Sequence, residues 1–119
     1  MGTFSVKGVQ EVSNMLKQFG REGKRITIDI TKIQATDISR NAKKLAPIDT
    51  GKLRQSITAE EVKPTAWTIT AYESYASFIE FGTRYMSAQP FLYPAWKRGT
   101  IRYTMDLRNA FVELTKKYN

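Results

Sequence analysis

The sequence predicts an α+β fold in which a long N-terminal helix and a C-terminal helix pack on a small antiparallel sheet that contains a β-hairpin. Three patterns carry this expectation. Ile28, Thr31, Ala35, Ile38, Ala42 and Leu45 repeat at 3,4,3,4,3 spacing, which only a helix places on one face. SITAEEV and AWTITAY are two β-type runs separated by Lys63-Pro64-Thr65, as in a hairpin. Trp96, Tyr103, Leu107, Ala110, Leu114 and Tyr118 form a final helical stripe, interrupted at Gly99.

Taken in order, Phe4 and Val6 alternate with polar neighbours and predict a short strand. Val9, Val12, Leu16 and Phe19 then follow a helical period that Gly20 ends. Residues 22–46 form the long helix, although the alternation in RITIDIT locally favours a strand. Pro47 cannot continue it and biases Ala46 away from helical angles. A short turn after Asp49 carries Leu53 and Ile57 toward the core. Beyond the hairpin, Tyr75, Phe78 and Ile79 return to helical spacing up to Phe81-Gly82, where Gly82 is expected to take a left-handed cap that Asn would also tolerate. The loop RYMSAQP leads to the last helix, which starts at Leu92 or Pro94.

With 41% hydrophobic residues and 12% aromatics, the chain can bury an ordinary core as one domain over residues 1–119. It has no cysteine and no histidine, which removes disulfides, thiolate nucleophiles, zinc–thiolate sites and the commonest general base. No cofactor or metal is expected. No apolar run approaches the roughly 20 residues that span a bilayer, and the first residues do not form a signal peptide, so a soluble protein made in a cytoplasm is expected.

The net charge of +8 is uneven. Residues 1–55 hold 11 basic and 5 acidic side chains, residues 56–93 hold 2 and 4, and residues 94–119 hold 6 and 2. Arg25, Lys32 and Lys43 share one helical face with Arg40 near it, although Asp29 falls among them. Such a face is either solvated or a phosphate-contacting surface.

Asp49-Thr50-Gly51 is the triplet that aspartic proteases place around their catalytic carboxylate. Those enzymes need two carboxylates sharing a proton on loops of an all-β fold. Here the triplet follows a helix-stopping proline and continues into a helical turn, so Asp49 is expected to cap that turn through the amides of Gly51 or Lys52. No enzymatic role is expected, since no phosphate-binding glycine loop and no serine with a base at a recognisable spacing appear.

"AKKLAPIDTGKLRQSI", followed about 20 residues later by "YASFIEFGTRYMSAQPFLYPAW", resembles the tail-component family of tailed bacteriophages typified by gene product 10 of phage HK97. The likeness covers residues 35–100. The matching positions include Pro47, Asp49, Thr50, Gly51, Leu53 and Arg54 in the first motif, and Glu80, Phe81, Gly82, Pro90, Phe91 and Pro94 in the second. The resemblance implies a non-enzymatic virion structural protein: a head–tail connector or tail-completion subunit in the neck of a siphovirus-like particle. It would form a homo-oligomeric ring, six- or twelve-fold, touch other neck and tail proteins, and contact packaged DNA non-specifically, with no membrane involved. The alternative is a small basic nucleic-acid-binding domain.

Within the motifs, Arg54 and Glu80 are expected to form either an intrachain ion pair or an intersubunit contact. Phe81, Phe91 and Trp96 are expected in the core rather than as anchors. Ile26, Ile30 and Ile33 form a second stripe on the long helix, and Ile101, Met105 and Val112 lie off the seam of the last one. One sheet face cannot cover every stripe, so either a neighbouring subunit covers the second ones or the two helices pack through them.

Overall fold

The structure, a computed structural model, describes the backbone of residues 2–7, 10–48 and 51–118 and the side chains of residues 20–48 and 51–116. The elements are β1 (Gly2–Lys7), α1 (Gln10–Leu45), α2 (Lys52–Ser56), β2 (Ile57–Lys63), β3 (Ala66–Ala71), α3 (Ala76–Phe81) and α4 (Leu92–Tyr118). The architecture is the expected α+β arrangement, with α1 and α4 packed together beside an antiparallel sheet of order β1-β3-β2.

Within α1 the backbone leaves helical angles at Gly20 (φ 65°, ψ −137°), so two helices meet at a kink there. That positive φ is why glycine stands at the joint. The Ile/Thr-rich start of the long helix is helical despite its β propensity. Its two buried threonines remove the usual objection by bonding back to the preceding turn: Thr27 Oγ1 donates to Gly23 O at 3.0 Å and Thr31 Oγ1 to Thr27 O at 2.7 Å. Thr31, Ala35, Ile38 and Ala42 are buried as their spacing required, whereas Leu45 at the helix end is exposed.

The hairpin pairs β2 with β3 and carries a bulge between Glu61 and Lys63. The strand anticipated around Phe4 and Val6 is present as β1 and pairs antiparallel with β3 on its other side. This makes β3 the central strand. Ile38, Ile57, Ile69, Phe91, Leu92 and Phe111 are among the largest fully buried side chains.

Between α1 and α4 the helices approach closely at Gly99. A Cβ there would lie 2.1 Å from Ile38 Cγ1. The glycine that weakened the helical pattern in sequence is therefore the residue that lets the two helices meet. A polar seam flanks this contact. Tyr103 Oη and Thr31 Oγ1 share a hydrogen bond of 2.7 Å, and Gln34 Nε2 donates to Asp106 Oδ2 at 2.6 Å.

Burial raises the Tyr103 pKa above its ordinary value of 10, against a smaller downward pull from the Thr31 hydrogen bond. The folded state thus holds the phenolic proton more tightly than the unfolded chain does. Its contribution to stability is complete below about pH 10 and is lost as pH rises through the folded-state value. Tyr103→Phe should make stability less steep above that pH while costing about 1 kcal/mol at neutrality from the lost hydrogen bond. Urea midpoints of parent and variant between neutral and strongly alkaline pH test this, and parallel pH profiles would refute it.

Candidate functional site: the two motifs and the surface beside them

Motif one is the joint between α1 and the hairpin. Ala46 N still donates to Ala42 O at 2.9 Å, and Pro47 then ends the helical path. Gly51 is the N-cap residue of α2 at φ 82°, ψ −5°, a left-handed conformation suited to glycine, and Gln55 N donates to its carbonyl at 3.0 Å. Asp49 and Thr50 lie outside the described residues, and with them the cap anticipated through the amides of Gly51 or Lys52. Leu53 is buried. Arg54 Nε donates to Lys43 O at 2.9 Å, satisfying a carbonyl in the last turn of α1, where a cation also opposes the negative end of the helix dipole.

Motif two joins α3 to α4, and Glu80 is its centre. Its side chain is buried at 4% exposure. Oε1 accepts from Phe91 N at 3.2 Å and Leu92 N at 2.8 Å, while Oε2 accepts from Tyr93 N at 3.1 Å. A carboxylate on one helix thus caps the first turn of another, meeting three backbone donors at a helix start that no intrahelical carbonyl reaches. Arg54 and Glu80 are therefore not partners of each other. Each binds backbone of its own chain, because a helix end nearby offers unsatisfied groups.

The loop between the two helices is latched at several points. Gly82 N donates to Phe78 O at 2.9 Å, Gln89 N to Ile79 O at 2.8 Å, and Thr83 and Met86 exchange backbone bonds of 2.8 and 3.3 Å. Gly82 has the positive φ expected of it, 76°, but its ψ of 175° lies outside the left-handed cap region. This is a conformation reached essentially by glycine alone. A Cβ would also sit 2.7 Å from Ala88 N and 3.0 Å from Met86 O, both backbone atoms. The expected tolerance of Asn is accordingly withdrawn: Gly82→Ala, Gly82→Asn and Gly82→Val should each destabilise by about 2 kcal/mol or more. Melting temperatures decide it, and an Asn variant as stable as the parent would restore the simple cap.

Of the three aromatics expected in the core, Phe91 is fully buried and Trp96 packs against the core, but Phe81 is 69% exposed. The short helix α3 explains the difference. Ala76 and Glu80, one turn apart, take its buried face, which turns Phe78 and Phe81 outward. Tyr85, at the tip of the turn closed by Thr83 and Met86, is 89% exposed. Ile48 is exposed as well. Between the motifs lies a cleft of about 350 Å³, with Pro47, Gly51 and Leu53 on one side and Tyr75, Ile79 and Met86 on the other. Pro90 is exposed, and Pro94 occupies the first turn of α4, where its missing N–H is harmless.

The second stripes divide. Ile26 and Ile30 are half-buried and pack against the core. Ile33, Ile101, Met105 and Val112 are exposed. Tyr85 and Ile48 carried no expectation from sequence, and Phe78 was read only as part of the helical spacing of α3. The signal was present in FIEF, where apolar residues occupy both faces of one short helix.

A second cleft, of about 280 Å³, opens between α1 and α4, where Lys44, Arg98 and Arg102 stand beside Asp37, Asn41 and Gln34. Among the described residues, no three of Asp, Glu, His or Cys stand close enough to hold a metal ion, and no helix is long and apolar enough to cross a membrane.

The fold and motifs define a small α+β protein whose most distinctive residues build its scaffold while large apolar side chains remain on its surface. Residues 10–82 match the family model described as "Bacteriophage HK97-gp10, putative tail-component", and the chain belongs to this HK97 gp10-like family. Comparison with curated proteins and with solved structures gave no match.

Proposed function

We propose that this chain is a non-enzymatic structural subunit of the phage neck, a connector or tail-completion component that assembles into a six- or twelve-fold ring with its own copies and seats against other neck and tail proteins. It would be made in the bacterial host cytoplasm and end in the virion. The observation that carries this reading is the contrast at motif two. Glu80, the motif's carboxylate, is committed to three backbone amides, while Phe78, Phe81 and Tyr85 beside it stand in solvent. Contiguous exposed aromatics on a small soluble subunit mark an association surface.

The interface residues proposed on the helices narrow to Ile33, Ile101, Met105 and Val112. Asp49 is assigned to architecture, with Pro47, Thr50 and Gly51. Mass measurement by light scattering, with negative-stain imaging of the purified protein, tests the proposal. Rings whose mass is a multiple of 13.6 kDa are expected, and a monomer at every accessible concentration would reject them. A peptidase activity abolished by Asp49→Asn would reject the non-enzymatic assignment.

Contact with packaged DNA is the second reading, favoured by the cations Lys44, Arg98 and Arg102 around the α1–α4 cleft. A DNA-contacting surface gives an apparent Kd that weakens steeply with salt on a log–log plot, and the triple replacement by Gln flattens the slope. Weak binding at physiological salt, insensitive to that replacement, argues against it.

A further inference from the structure

We infer that copies of this chain associate head-to-tail, the outer face of α4 on one subunit seating against the β2 edge of the hairpin on the next. The inference rests on the assembly reading above and names the two surfaces that meet.

On α4, Ile101, Met105 and Val112 are spaced 4 and 7 residues apart and lie exposed along the side turned away from the α1 seam. Exposed Arg98, Arg102 and Arg108 border that stripe. On the hairpin, Val62 sits at the β2 bulge with 68% exposure, next to Glu60 and Glu61, and exposed Tyr72 donates its hydroxyl to Glu60 Oε1. The α4 surface is bordered mainly by cations, with Glu113 beside Val112, and the hairpin surface mainly by the anions Glu60 and Glu61, with Lys63 beside Val62. Each fits the other better than it fits itself, since two α4 faces brought together would oppose arginines to arginines.

The topology places the two surfaces apart. In the sheet order β1-β3-β2, α4 packs against β1, so β2 is the edge remote from α4. A subunit can therefore use both surfaces at once, which is the requirement for a heterologous contact that repeats around a ring. The bulge twists β2 out of regular register and discourages simple strand addition at this edge, leaving side chains to make the contact.

Single replacements at the exposed centres of the two surfaces, Met105→Asp on α4 and Val62→Asp on the hairpin, test this in the full chain. Circular dichroism and melting establish that each variant folds. Each alone should run as a 13.6 kDa monomer where the parent assembles, and an equimolar mixture should form a dimer and nothing larger, because one intact surface remains on each partner. If both variants assemble like the parent, the surfaces are wrong while the assembly reading stands. If only Met105→Asp dissociates, α4 pairs with itself or with another surface and the inference is overturned. A parent that is monomeric throughout removes both readings together.

A charge exchange supplies an independent arm. Arg102→Glu should weaken association at least tenfold, and adding Glu61→Arg in the same chain should recover most of it. Failure of the second change to rescue the first overturns the pairing even if an aspartate variant does not fold.

Discussion

Glu80→Ala is expected to destabilise the protein by about 3 kcal/mol or more. An ordinary N-cap is worth roughly 0.5–2 kcal/mol, and it serves one or two amides at a surface. Here one buried carboxylate accepts from Phe91, Leu92 and Tyr93, and the alanine variant would leave all three donors without their partner. Hydrogen bonds to a charged group contribute about 1.5–3 kcal/mol each, and stranding buried donors adds their desolvation cost. The amide variant separates the causes. Glu80→Gln keeps one carbonyl acceptor but turns an NH2 group toward at least one backbone N–H, so it should lose about 1–2 kcal/mol. Chemical denaturation measures both. Hydrogen exchange locates the effect, because the amides of residues 91–93 should lose protection before the rest of α4. An alanine variant within half a kcal/mol of the parent, with those amides still protected, would show that water replaces the carboxylate without loss.

The second large effect is expected at Gly99, with a sign opposite to the general rule. Gly to Ala within a helix ordinarily gains about 1 kcal/mol. At this position the added methyl would lie 2.1 Å from Ile38 Cγ1 and 2.4 Å from Cδ1, and Ile38 is fully buried and β-branched, with little freedom to move aside. The helices must separate or the isoleucine must leave its rotamer, at a cost of about 1–3 kcal/mol that overrides the gain in propensity. A double-mutant cycle isolates the clash. Ile38→Ala alone should cost about 2–5 kcal/mol through the cavity it opens. Gly99→Ala placed in that background should then become neutral or stabilising, a coupling of more than 1 kcal/mol. Additive effects would mean that α1 and α4 do not approach each other closely at Gly99.

These two residues also mark where sequence reasoning stopped. Glu80 could be recognised as a motif residue, but its partners are amides 11–13 positions away, beyond a loop whose path no local rule supplies. An intrachain ion pair and an intersubunit contact were equally consistent with a lone acidic residue on a helix. Gly99 appeared as a defect in a helical stripe because propensity counts only the helix that contains it. The reason for the glycine lies on Ile38, in another helix.

The isoleucines show the same division. Their spacing placed Ile26, Ile30 and Ile33 on a second stripe, but how far that stripe is covered depends on the angle at which α4 crosses α1. That angle half-buries Ile26 and Ile30 and leaves Ile33 in solvent. Phe81 was expected inside because aromatics usually are. It is outside because burying the Glu80 carboxylate turns α3 the other way.

By itself the sequence determined the elements and their breaks. The 3,4 spacing from Ile28 to Leu45 outweighed the local β propensity, Pro47 ended the long helix, Gly20 and Gly82 stood where φ is positive, and the runs around Lys63-Pro64-Thr65 made the hairpin. These outcomes rest on interactions within a few residues, where periodicity and backbone sterics suffice. The tertiary structure alone decided which helix end Glu80 caps, which glycine allows two helices to touch, and that β1 joins β3 on the side opposite β2. It also decided which of the many apolar side chains remain in solvent. Each of these depends on groups far apart in the chain, and their separation in space is set only when the elements pack.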